Sequence, residues 1–438
     1  MSIRTVSNLY TLRRNLRLES EELRKLQNRK LRKILKYAYS NVRFYHEKFD
    51  SAKIKPDDIK TIEDLSKIPT TTKSEIQSAS MGDIVAKHID IKKCGMRTTS
   101  GSTGIPLKTI VDRETLDLEA ATWARALLER GLRLSDRMAV IGDPRGFPKS
   151  KNWLHFLRII RREYLSIFDG PEKQLMLLER FKPDIMQGYP SSLAILADAY
   201  EQKTSNVKPR LIFTLGELLD KATRELVSSA FETEIMDNYA CSEFSLMAWE
   251  CKEHTGYHMN VDSVIMEFLN NGDPVEDGER GEIVCTSLLN KAMPLIRYRL
   301  GDVGISLEAK CTCGRTLPLM RIVEGRLDDF LMATDGRTIS PTVFFPYPFE
   351  NLDEIRQFRV VQEKKNQLTI QLCVRENYVI EDRFLEKATR ELHRLFGEDM
   401  QVEFQTVERI PRDPSGKLRK VVSQITGIGN KEYSLQPH

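Results

Sequence analysis

The sequence predicts an α/β fold: a large N-terminal domain built on mostly parallel sheet, followed by a small α+β C-terminal domain. From Met138 onward the short β-branched runs "MAVIGD", "DIMQGYP", "LIFTLGE" and "TEIMDNYACSE" alternate with helical stretches. That alternation is the pattern of an open parallel sheet. Several of the runs close on glycine or a polar residue, and ligands bind beyond the carboxyl ends of such strands. Near the C-terminus a new apolar alternation, "FRVVQ", "QLTIQLCV" and "MQVEFQTV", flanks a helical "EDRFLEKATRELHRLFG", as expected of a separate small domain with its own hairpin.

The N-terminal arm, about residues 1–75, is helical. Between Arg13 and Arg43 leucines recur at helical spacing among lysines and arginines. A membrane-surface helix would have that texture, but Glu19, Glu21 and Glu22 interrupt the basic face, and the pattern fits a solvated helix that packs its leucine stripe on the protein body. The following "KIKPDDIKTIEDLSKIPTTTKSEI" reads as loops and short helices. From about 245 to 325 the texture shortens to strands and turns ("NNGDPVEDGERGEIVCTSL"), which predicts an antiparallel or barrel-like part.

Composition excludes several classes. The 438 residues exceed what one compact core accommodates, so more than one domain is expected. Net charge is only +4 from 67 basic and 63 acidic residues, too close to balance to argue for nucleic acid or an anionic membrane as partner, and no nucleic-acid partner is expected. No run of eighteen apolar residues occurs and the first residues lack the core of a secretion signal, so stable membrane insertion is not expected and a cytoplasmic location is. Seven cysteines, an odd number, suit a reducing compartment.

Chemistry enters with "RTTSGSTGIPLKT", Arg97 to Thr109. Ser100, Gly101, Ser102, Thr103 and Gly104 offer hydroxyls and bare backbone N–H groups in a tight turn, with Lys108 adding charge, the equipment for wrapping phosphate oxygens. It is not a Walker A loop, because the lysine does not directly follow a glycine. Downstream come "NYACSE" (Asn238 to Glu243), "YRLGD" (Tyr298 to Asp302), "GRLDD" (Gly325 to Asp329) and "PRDPSGK" (Pro411 to Lys417). In this order the five stretches resemble the signatures of the adenylate-forming superfamily, closest to its phenylacetate-CoA ligase-like branch, which includes capsule-biosynthesis adenylating proteins.

The resemblance implies an AMP-forming acid-thiol ligase using ATP, Mg²⁺ and coenzyme A. The phosphate loop, Gly216, Glu217, Asn238, Tyr239, Asp302 and Arg326 would surround the nucleotide, with Tyr239 against adenine and Asp302 on the ribose hydroxyls. Lys417, Glu243 and Ser242 would be the catalytic residues, with Glu243 holding Mg²⁺ and Lys417 bridging carboxylate and α-phosphate. Tyr189, Pro190 and Ala240 would line the acyl side. Asp328 matches the hinge of a mobile lid, which divides the chain into residues 1–327 and 328–438. Ala240 and Ser242 stand where the family commonly has Gly and Thr, so the acid itself is not specified. The acceptor could instead be an amine, a hydroxyl or a carrier-protein thiol. A non-catalytic nucleotide-binding scaffold is the contrasting class, against which stand the intact Glu243, Asp302 and Lys417. The family also includes homodimers.

A second constellation combines "WECKEHTGYH" with "CTCG". Thiolates and imidazole suit tetrahedral Zn²⁺, and Cys-x-Cys does not easily close on itself as a disulfide. Cys251, Cys311 and Cys313 need one histidine. The family pattern selects His258, with His254 in Cys-x-x-His spacing as the alternative.

Overall fold

The computed structural model describes residues 2–99, 106–148, 160–203, 205–326, 330–344, 354–375, 378–413 and 416–425. Two compact units interleave along the chain: Met1–Leu132 with Asn238–Ile322, and Arg133–Asp237 with Val323–His438.

The first unit begins with helices Ile3–Asn15, Ser20–Asn41 and Arg43–Ser51. Leu23, Leu31, Ile34 and Leu35 of the second are buried while most of its lysines and arginines stay exposed, so the leucine stripe packs inward. The next stretch forms the 3₁₀ turns Pro56–Asp58 and Ile62–Lys67 and the short helices Lys73–Ser78 and Met81–Ile84. Asp112 caps the long helix Arg113–Glu129 by accepting from the Thr115 N–H at 2.8 Å. The turn-rich part is an antiparallel ladder. Val264–Asn270 pairs with Arg280–Ser287, which pairs with Tyr298–Leu307, while Tyr257–Met259 pairs with both Ser245–Glu250 and Leu319–Arg326.

A buried ion pair ties these layers together. Arg125 and Asp262 have fully buried side chains and meet at 2.7 Å. The Arg125 guanidinium also donates to the Leu12 carbonyl at 2.9 Å and to Asn260 Oδ1 at 2.7 Å, and Asp262 accepts from Asn15 Nδ2 at 2.9 Å. Burial alone would raise the Asp262 carboxyl, but Arg125, Lys30 and Asn15 outweigh it and hold it below its ordinary value.

In the second unit Leu211–Leu215, Ile185–Gly188, Arg137–Gly142 and Arg161–Ser166 lie side by side in that order, all parallel. Helices Pro171–Phe181, Pro190–Lys203 and Lys221–Phe231 supply the crossovers. Arg161–Ser166 is a parallel strand that apolar pattern does not announce. It ends the sheet, and "RREYLS" keeps polar residues on an edge that would otherwise invite pairing. The C-terminal part carries a four-stranded sheet, in the order Gln401–Thr406, Gln367–Val374, Ile355–Lys364, Val421–Ser423, with an antiparallel hairpin at its centre. Helix Asp382–Phe396 buries Ala388, Leu392 and Phe396 against Phe358, Val360, Leu368 and Ile370. Among the described residues no helix is long and apolar enough to cross a membrane.

Removing one partner of the buried pair strands the other charge. Asp262→Ala is expected to lower unfolding free energy by about 3–5 kcal/mol in urea titration, and an Arg125→Met, Asp262→Leu double variant by less. Because the Asp262 carboxyl is depressed, the stability that it supplies is complete above the ordinary Asp value of about 3.9 and is lost as pH falls below it.

Candidate functional site

In the first unit the hairpin Gly95–Thr98 and Lys108–Val111 presents the Ser/Thr/Gly-rich loop. Ser100, Gly101, Ser102, Thr103 and Gly104 lie outside the described residues, but the ends of the loop are pinned. Thr99 N–H donates to the Leu107 carbonyl and Leu107 N–H to Thr99 Oγ1, each at 2.9 Å. Arg97 forms a two-point pair with Glu119, so its charge is already engaged, whereas Lys108, opposite Thr98 in the register, is exposed.

Strand Ile235–Cys241 carries "NYAC" and turns at 242–244 into Ser245–Glu250. A register shift between Tyr239 and Ala240 re-aims the side chains at this end, as bulges beside binding sites do. The Phe244 N–H donates to Cys241 Sγ at 3.3 Å and closes the turn that displays Ser242 and Glu243, both half-buried. Tyr298 Oη lies 3.5 Å from Glu243 Oε1. Tyr239 donates its hydroxyl to Asp302 Oδ2 at 2.7 Å. Burial first, then the Asp302 charge, pushes this phenol well above its ordinary value, so it remains a donor. Asn238 is buried, and its amide oxygen accepts from Arg130 Nη2 at 2.7 Å. Ala240 is half-buried beside it. Tyr239, Glu243 and Asp302 thus come together at one end of the antiparallel ladder.

In the second unit two neighbouring parallel strands end at Gly188 and Leu215, and their exits carry Tyr189–Pro190 and Gly216–Glu217. Gly216 has φ +83°, where a side chain is strained, and a Cβ there would sit 3.0 Å from the Tyr189 ring and force it to shift. The Glu217 carboxylate accepts from the Ser191 N–H and Ser191 hydroxyl, both at 3.0 Å, and from the Leu418 N–H at 2.8 Å. Lys417 follows a closed turn: Asp413 N–H donates to the Lys417 carbonyl at 2.8 Å and Lys417 N–H to Asp413 Oδ1 at 3.0 Å. Gly416, at φ +81°, presses on Ile167 where a Cβ would collide. The Lys417 side chain passes over Gly216, its Cε 3.6 Å from the point that a Cβ on that glycine would occupy. Ser191 and Arg412 are participants that motif reading did not single out, although Ser191 adjoins Tyr189–Pro190 and Arg412 lies inside "PRDPSGK". Arg412 Nη1 reaches the Gly416 carbonyl at 3.0 Å and Ser191 Oγ at 3.4 Å. Asp328 lies outside the described residues, and Arg326 ends strand Leu319–Arg326.

The cysteines and a histidine also converge. Ligand atoms of Cys251, His258, Cys311 and Cys313 all lie within 4.8 Å of one another. Cys251 and Cys311 sulfurs are 3.5 Å apart, and Cys313 Sγ is 3.4 Å from His258 Nε2. His258 is held in the short strand Tyr257–Met259, whereas His254 sits in a turn at φ +48° with Nδ1 3.6 Å from Glu250 Oε2. Burial opposes ionisation of Cys313, but the backbone and guanidinium of Arg315 and the Cys311 thiol outweigh it and bring this thiol below its ordinary value.

Residues 331–424 match the family model of the CapK C-terminal domain. The chain is 30% identical over 322 residues to a phenylacetate-coenzyme A ligase of Escherichia coli, covering 71% of this chain and 73% of that one. It is 26% identical over 441 residues to the phenylacetate-coenzyme A ligase of Thermus thermophilus, covering 92% and 97%. The protein CapK of Staphylococcus aureus is 24% identical over 420 residues, covering 93% and 90%. Among solved structures, 2-hydroxyisobutyryl-CoA ligase in its postadenylation state superposes with a TM-score of 0.78 at 20% identity, over 94% of this chain and 91% of that one.

The Tyr239–Asp302 hydrogen bond links two strands of the first unit. Tyr239→Phe is expected to lower unfolding free energy by about 1–2 kcal/mol in urea titration, since it removes the 2.7 Å hydrogen bond to a carboxylate. Tyr298→Phe, across the longer 3.5 Å approach to Glu243, should cost less.

Proposed function

This chain belongs to the phenylacetate-CoA ligase family of AMP-forming acyl-CoA ligases, and from that membership we propose that it activates a small-molecule carboxylic acid with ATP and transfers the acyl group to coenzyme A. In the first half-reaction a carboxylate oxygen attacks the α-phosphorus and pyrophosphate leaves. In the second the coenzyme A sulfur attacks the acyl carbon and AMP leaves. The observation that carries the reading is the seating of the Lys417 segment against the strand exits at Gly216 and Tyr189, which holds the lysine stem over Gly216.

In this reading Lys417 neutralises the charge that develops as carboxylate and α-phosphate approach, a role that fixed positive groups perform without reorganisation. Tyr239 and Asp302 take the nucleoside, the pinned loop with Lys108 takes the phosphates, and Tyr189 with Pro190 borders the acid. A Mg²⁺ held by Glu243 would supply charge neutralisation on the polyphosphate, for which a half-buried carboxylate oxygen is a suitable hard donor. Residues 328–438 act as a lid hinged at Asp328, exchanging one face for another between the half-reactions.

We further assign Cys251, His258, Cys311 and Cys313 to a structural Zn²⁺. Zn–S bonds of about 2.3 Å and Zn–N bonds of about 2.0–2.1 Å in a tetrahedron separate ligand atoms by roughly 3.5–3.8 Å; the Cys251–Cys311 and Cys313–His258 approaches of 3.5 Å and 3.4 Å are close to that spacing, and all four ligand atoms lie within 4.8 Å of one another. With four protein ligands the site is closed, so it staples the ladder to the 311–313 turn and takes no part in the chemistry.

The deciding experiment measures ATP-dependent pyrophosphate release with aryl, aliphatic and amino acids, each with and without coenzyme A. A thioester formed only when coenzyme A is present supports the proposal. Pyrophosphate release without thioester would replace the acceptor, and silence with every acid while ATP still binds would favour a nucleotide-binding scaffold. Given an active acid, Lys417→Ala should slow ATP–pyrophosphate exchange by roughly several hundredfold, the range of a group acting on the transition state. Elemental analysis should find one zinc per chain. Cys311→Ser should abolish that zinc and lower the melting temperature.

A further inference from the structure

The Glu217 carboxylate joins its own turn to two other segments of the second unit. Its own turn follows strand Leu211–Leu215, Ser191 opens helix Pro190–Lys203, and Leu418 immediately follows Lys417. Oε1 accepts from the Leu418 N–H at 2.8 Å and the Ser191 hydroxyl at 3.0 Å, and Oε2 from the Ser191 N–H at 3.0 Å. With these donors in place the carboxylate is committed to protein groups. Three residues on, Asp220 repeats the arrangement: its side chain is 4% exposed, it caps helix Lys221–Phe231 through the Thr223 N–H at 2.7 Å, and Lys420 Nζ reaches Oδ2 at 2.8 Å. Two acids on one turn therefore meet residues 418 and 420 on the lysine-bearing segment. Neither contact involves the Lys417 ammonium.

We propose that Glu217, seconded by Asp220, is a docking latch that fixes the Lys417 segment for adenylation, and that its release frees the segment for the thiol step. This rests on the two-step ligase reading. Glu217 is thereby a positioning residue: it acts on the reaction through the amide of Leu418 and so through the placement of Lys417. A charged acceptor suits the task because a hydrogen bond to a carboxylate is stronger than one between neutral groups yet can be exchanged for water when the segment leaves. Loss of one such bond corresponds to roughly a ten- to hundredfold shift in the docking equilibrium.

The test separates the half-reactions and adds a readout that needs no turnover. Hydrogen exchange of the ligand-free full chain should show peptide 416–425 exchanging roughly tenfold or more faster in Glu217→Ala, with the 367–374 strand unchanged. Glu217→Gln, which keeps a carbonyl acceptor, should fall between wild type and Glu217→Ala. Lys420→Met should reproduce a smaller part of the effect. With the acid found active in the substrate panel, ATP–pyrophosphate exchange should fall at least tenfold relative to thioester formation from chemically made acyl-adenylate and coenzyme A. Unchanged exchange at 416–425, equal loss in both half-reactions, or acceleration across both peptides would overturn the latch. Failure of the wild-type chain to adenylate any acid overturns the ligase reading instead, and the exchange data then still decide whether Glu217 holds the segment.

Discussion

The fully buried Arg125–Asp262 pair is the constraint around which the first unit is assembled. A guanidinium without water must have its donors answered inside the protein, and here the Leu12 carbonyl, Asn260 and Asp262 answer most of them. Those partners come from the first arm helix and from the turn between Tyr257–Met259 and Val264–Asn270, so one side chain sets the spacing of three layers. The same Asn260 accepts from Trp249 Nε1 at 3.2 Å and donates to the Leu246 carbonyl at 2.9 Å. The strand Ser245–Glu250, which leads into Cys251, and the turn after the strand bearing His258 are thereby tied together by protein groups alone. Buried pairs of this kind contribute less to net stability than to specifying one arrangement, because their desolvation offsets much of their attraction.

Parallel strands impose the second constraint. Each must return by a crossover, so chain exits gather at the carboxyl ends, and there Tyr189, Ser191, Gly216 and Glu217 come together from segments some 25 residues apart. The exits are polar and have little ladder of their own, so their backbone groups need side-chain partners. Glu217 supplies acceptors to the start of one helix and to the segment after Lys417. Gly216 leaves the space that the lysine stem and the Tyr189 ring occupy.

Much of this was legible from the chain. "MAVIG", "IMQG", "LIFTL" and "IMDNYAC" lie in strands, and "QLTIQLCV" is a strand from end to end, because β-branched runs bounded by glycine or polar residues have few other ways to bury themselves. The edge strand Arg161–Ser166 escaped because edges are polar by necessity, which erases the pattern that marks a strand. Motif order pointed to Tyr239, Asp302 and Lys417, but spacing cannot say that Asn238 gives its amide oxygen to Arg130, 108 residues earlier.

Local chemistry was therefore carried by the linear order of residues: which stretches become strands, which turn is bare enough for phosphate, and which thiols and imidazoles could share a metal. Two histidines remained open at that level, since both stand within reach along the chain. In the folded chain it is His258 that faces the sulfurs, because it is held in the strand beside them. The partners of Glu217 and of Arg125 were decided by folding alone. A hydrogen bond between residues 201 positions apart leaves no periodicity or motif behind, because any backbone amide can donate, and only the packed chain selects the amide of Leu418.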